Sequence, residues 1–153
     1  MTRRTVILGL GNSILRDDAV GLLVAQRAST LLDGGDGIDI VLNERGGMDV
    51  LDLVSGYDRA ILVDAIKTGQ VEPGALVLVP WDEIPPTRRL SGLHDLDLPS
   101  AMELADRLGM ERPGELVVLG VEIEDDMEFD EHCTPRVEAA VDLAARAVLS
   151  MAR

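Results

Sequence analysis

GLGNSILRDDAVG, residues 9–21, joins the apolar run Thr5–Leu10 to a segment with apolar residues at helical spacing, Val20, Leu23, Val24, Ala28 and Leu31. A strand that runs through a glycine-rich turn into a helix is the opening unit of a doubly wound α/β sheet. Such a turn normally collects anions, because unpaired N–H groups and the positive end of the helix dipole point into it. Asp17 and Asp18 would repel a phosphate there. As a dinucleotide motif the stretch also fails by composition: Gly9 and Gly11 are followed by Ile14 where a third glycine belongs. One acid is explained as the N-cap or first-turn acid of the helix, and that reading falls on Asp17. Asp18 needs another explanation.

Working outward, strand and helix signals alternate without linker, repeat or low-complexity segment, as expected for one domain over residues 1–153. Thr5–Leu10 is continuously apolar, like a strand buried on both faces of a parallel sheet. The helix from Asp18 to Leu32 is stopped by Gly34 and Gly35. Ile38–Leu42 reads as a second strand, Met48–Val54 as a short helix and Arg59–Asp64 as a third strand. Ala75–Pro80 follows too soon for a parallel crossover, which needs a dozen or so residues, so this strand should run antiparallel at an edge. Trp81–Leu96 lacks periodicity and reads as a loop, Leu98–Leu108 as a helix, Glu115–Val121 as a fifth strand and Thr134–Met151 as a closing helix. Thr134 and Pro135 suit its N-cap and first position.

Bulk properties exclude several roles. The formal charge of −14 argues against sequence-independent nucleic-acid binding, and no segment reaches the roughly 18 apolar residues of a membrane helix. Two arginines before the first apolar run imitate an export signal, but that run is short and lacks a small-residue cleavage site. The single cysteine, Cys133, leaves no internal disulfide and points to a reducing cytoplasm. A Cys133–His132 catalytic pair is disfavoured because chain neighbours point apart, and Ser13 lacks the G-x-S-x-G setting of a nucleophile. Met102, Met110 and Met127 read as core fillers, and EDDMEFDE (124–131) as a solvated loop.

Ligands of such sheets bind beyond the carboxyl ends of the strands, where connections diverge to opposite faces. The first strand ends in the quoted motif and the third in LVDAI, so Asp18 and Asp64 would face one crevice. Two carboxylates there need a shared proton or a cation. His94, in SGLHDLD, is a candidate third member of a set suited to zinc, nickel or iron.

In order and interval, GLGNSILRDDAVG, ILVDAI, SGLHDLDL, VVLGVEI and CTPRVEAAV resemble the hydrogenase maturation endopeptidases over Thr5 to Leu149. The resemblance implies an α/β/α sandwich with a five-stranded, mostly parallel sheet and one antiparallel strand. It implies removal of a C-terminal peptide from the large-subunit precursor of a nickel-iron hydrogenase after nickel insertion. It also implies metal contact by Asp18, Asp64 and His94, the nickel being that of the precursor, with no organic cofactor. Asp18 stands where the family has Glu or Asp, and Gly46 and Gly47 resemble its cleft-bordering turn. A monomer is expected. The other readings are a nickel-sensing chaperone that cuts nothing and a nucleotide-binding domain.

Overall fold

The largely apolar runs Thr5–Leu10, Arg59–Ile66 and Glu115–Glu122 become inner strands with side chains buried on both faces, flanked by two more exposed edge strands. The strands are β1 (Thr5–Leu10), β2 (Ile38–Asn43), β3 (Arg59–Ile66), β4 (Leu76–Pro80) and β5 (Glu115–Glu122). The helices are α1 (Val20–Leu31), α2 (Met48–Val54), α3 (Leu98–Arg107) and α4 (Pro135–Ala152). This computed structural model describes residues 3–34, 37–45, 48–83, 98–125 and 127–153. Among them no helix is long and apolar enough to cross a membrane.

The strands form one sheet in the order β2-β1-β3-β5-β4. All neighbours are parallel except β4, which runs antiparallel to β5 at the edge, as the short connection from β3 requires. Val20, Val24 and Ala28 of α1 and Val137, Ala144 and Val148 of α4 cover one face, packing on Ile7, Ile61 and Val63. Val50 and Val54 of α2 and Ala101 and Met102 of α3 cover the other, on Val6, Leu8 and Leu62. The result is a three-layer α/β/α sandwich in which the first two crossovers diverge on either side of β1, so the switch point lies between β1 and β3.

Two of the boundaries that differ from the sequence reading bear on the site. The helix does not begin at Asp18: Arg16–Ala19 form a 3-10 turn and α1 starts at Val20. β3 does not end at Asp64 but continues to Ile66, because Ala65 and Ile66 find partners in Val121 and Glu122 of β5. The β1–β3 ladder, in contrast, ends at Gly9 and Val63. Asp64 is therefore the first residue of β3 beyond the end of that ladder.

α1 can approach this junction only because Gly21 lacks a side chain. A Cβ there would lie 2.3 Å from the Leu10 carbonyl oxygen and 2.4 Å from that of Val63. Backbone atoms of two strands cannot both retreat, so Gly21→Ala is expected to cost about 2–3 kcal/mol of stability in urea unfolding. A loss below about 0.5 kcal/mol would mean that α1 does not sit this close.

Candidate active site

Asp64 has 0% exposure, and its Oδ1 accepts the Ala65 N–H at 2.8 Å. Side-chain alternation along β3 puts it on the α2/α3 face, between Leu62 and Ile66. Asp18, 2% exposed, comes to the same strand ends from the 3-10 turn, which touches β3. Its N–H donates to the Leu15 carbonyl at 2.8 Å, closing that turn. Its carbonyl folds back over Gly11, whose φ is +151° and where a Cβ would lie 2.2 Å from the Asp18 oxygen. The second glycine of the opening motif thus makes room for the aspartate's own backbone rather than for a phosphate. Three residues after Asp18, Gly21 rests on the carbonyl of Val63, the residue before Asp64.

Buried carboxylates are costly and are kept where they are paired, hydrogen-bonded or set against a cation. Two of them at one switch point fit a divalent-ion site in burial and donor type. Among the described residues no group of three or more His, Cys, Asp or Glu is arranged to hold a metal ion. His94, the third member expected from sequence, lies outside the described residues, as do Gly46 and Gly47.

Asp17 does not cap α1, the role its position in the sequence suggested. Its buried carboxylate crosses to the β5–α4 connection, where Oδ2 accepts the N–H groups of Glu124 at 3.0 Å and Asp125 at 2.9 Å. Oδ1 accepts the Thr134 N–H at 2.6 Å, and the Thr134 hydroxyl donates to the same carboxylate. Thr134 does occupy the N-cap of α4, but its hydroxyl serves Asp17 instead of the helix. The turn that carries Asp18 is therefore fixed by its neighbour's side chain. Arg16 takes a positive φ of 34° in that turn. Its N–H donates to the Asp130 carbonyl at 3.0 Å and its guanidinium pairs with Asp125 and Glu128.

A cleft of about 650 Å³ opens beside the turn, with Ile14, Leu42 and Leu53 among its apolar lining and Glu44, Asp49 and Glu131 among its acids. Glu44 accepts the Ser13 N–H at 2.8 Å, tying the β1 loop to the β2 loop, and the Ser13 side chain together with this N–H holds its carboxyl below the usual range. A fourth buried acid, Glu122, accepts the N–H groups of Thr68 and Gly69 and fixes the turn after β3. Nothing in a lone glutamate at a strand end signals that role, since its partners lie 53 and 54 residues away.

Cys133 is buried, and desolvation, with the nearby Asp17 charge adding to it, pushes its thiol up to about 12. At pH 8 about one molecule in ten thousand carries the thiolate, so Cys133 is expected to resist iodoacetamide in the folded protein and to react within minutes in denaturant. Rapid alkylation of the native protein, followed by mass spectrometry, would contradict this burial.

The fold is an α/β sandwich with two buried aspartates, Asp18 and Asp64, near the switch point of its sheet. Residues 25–151 match the family model described as hydrogenase maturation protease. The chain is 30% identical over 152 residues to the Hydrogenase 2 maturation protease of Escherichia coli, covering 98% of this chain and 91% of that one. Among solved structures it resembles the hydrogenase maturating endopeptidase HybD from E. coli, with TM-score 0.82, 29% identity and coverage of 97% and 91%. The NiFe hydrogenase maturation protease HybD from Thermococcus kodakarensis shares the fold at TM-score 0.77 and 20% identity, with coverage of 98% and 99%. The chain belongs to the hydrogenase maturation protease family, and it is a hydrolase.

Proposed function

We propose that this endopeptidase removes the C-terminal extension of a nickel-iron hydrogenase large-subunit precursor after nickel insertion, with Asp18, Asp64 and His94 contacting the metal. The observation that carries this reading is the pair of buried carboxylates where β1 leaves the sheet and β3 continues, in a chain of this family. The nickel is part of the substrate. Gripping it places the adjacent peptide bond in the crevice, so that only a loaded precursor is held in a reactive pose.

The nucleophile is water. Cys133 is buried as a neutral thiol and engages the Arg16 carbonyl, and Ser13 lines the outer cleft. A C–O bond forms from water to the scissile carbonyl, the C–N bond breaks, and the leaving nitrogen takes the proton. An ion held by Asp18, Asp64 and His94 would supply Lewis-acid polarisation of the reacting carbonyl as well as recognition of the loaded precursor. In this reading the protein works in the cytoplasm, as a monomer, and its buried free thiol suits a reducing compartment.

Mixing the purified protein with nickel-loaded and nickel-free precursor and following the precursor's mass tests the proposal. Loss of a short C-terminal peptide from the loaded form alone is the expected result. Binding without a change of mass would replace the peptidase with a nickel-sensing chaperone. Affinity for a nucleotide would favour the third reading, against which Gly11, covered by the Asp18 carbonyl, already counts.

A further inference from the structure

The protein's only phenylalanine, Phe129, is 80% exposed, and Met127, expected from sequence to fill the core, is 78% exposed. A single apolar side chain in water needs no explanation. These two lie in one short loop, however, and a third, Ile14, stands beside it. The loop and the 14–16 stretch form a parallel bridge at Leu15 and Asp130, with the Asp130 N–H donating to the Ile14 carbonyl at 3.0 Å. Parallel register sets Ile14 next to Phe129, and Ile14 is half exposed.

Unlike a floppy tip, this loop is bonded at both ends and in the middle. Asp17 holds the N–H groups of Glu124 and Asp125. Asp125 in turn accepts the Met127 N–H at 2.9 Å and that of Glu128 at 3.3 Å, Arg16 pairs with Asp125 and Glu128, and Asp130 accepts the His132 N–H. Aromatic and methionine side chains held out on a pre-ordered backbone are the anchors from which protein interfaces are built, because little entropy remains to be lost on binding.

We infer that residues 124, 125 and 127–131, with Ile14, are the docking platform for the body of the precursor. This rests on the reading that the precursor is the substrate. Two features select that occupant. The loop EDDMEFDE carries six acids and no base, so the complementary surface is an apolar pocket with a basic rim. The platform is also continuous with the cleft: Ile14 and Glu131 line it, as does Ala19, the residue after Asp18. A precursor seated on Phe129 and Met127 can lay its C-terminal segment along that cleft toward the crevice.

The test uses the full-length protein with Met127 and Phe129 both changed to serine, and separately Glu131→Lys. Each variant's affinity for nickel-loaded precursor is measured by calorimetry, and its processing by mass. The double variant should raise Kd and KM by about 30-fold or more while kcat stays within about twofold. Glu131→Lys should weaken binding less, and wild-type KM should rise toward about 1 M salt, where screening shortens to about 3 Å. Unchanged thermal melting shows that the double variant is folded. Equal KM and Kd for wild type and double variant, with processing intact, overturns the platform alone. A wild type that neither binds nor cuts loaded precursor overturns the substrate reading as well, whereas binding without cutting that the double variant loses supports the platform.

Discussion

Asp64→Asn is expected to lower processing of nickel-loaded precursor by about a thousandfold or more while the fold stays intact. The sequence placed this residue at a strand end, where substitution is structurally mild. It is instead fully buried inside β3. The fold should survive for a different reason: Asn has the same shape, and its carbonyl oxygen can still accept the Ala65 N–H now bonded at 2.8 Å. What is lost is the negative charge, and with it the hold on a divalent ion. His94→Ala should behave alike. Both are checked by kcat/KM from precursor mass and by far-ultraviolet circular dichroism. Processing within about tenfold of wild type would remove Asp64 from the chemistry, and an unfolded variant would make its role structural.

The second large effect is on stability. Asp17→Ala removes the acceptor shared by the N–H groups of Glu124, Asp125 and Thr134 and by the Thr134 hydroxyl, all gathered on one buried carboxylate. Each buried donor left without a partner costs about 1–3 kcal/mol, although the loop can turn some of them toward water. A net loss of about 3–5 kcal/mol in urea unfolding is expected. Asp17→Asn should rescue little of it, because its amide would turn N–H groups toward donors on one side of the site. Thr134→Val, which removes only the hydroxyl, should cost about 1 kcal/mol. If Asp17→Ala costs under about 1 kcal/mol, the carboxylate is not what holds the Asp18 turn.

These two aspartates mark how far the sequence could be read. The strands were legible because a run such as Thr5–Leu10 can be satisfied only between two layers of helices, and the antiparallel edge strand followed from loop length alone. Met102 is in the core as expected, whereas Met127 is not: composition cannot tell a methionine that fills a gap from one held out in water. Asp17 was misread because local capping is the nearest use for an acid before a helix, while its real partners are 107 to 117 residues away. The length of β3 was likewise set by β5, a tertiary partner invisible to periodicity. For the site itself, strand ends and topology singled out Asp18 and Asp64, which are both buried near the end of the β1–β3 ladder, but only the family motif singled out His94.

The central claim is that Asp18, Asp64 and His94 serve one divalent ion. Titration of nickel(II) into the metal-free protein, followed by calorimetry, tests it most directly. One saturable ion per chain in the wild type, lost in Asp18→Asn and in Asp64→Asn, is the predicted result. Saturable binding that persists unchanged in both variants would contradict it.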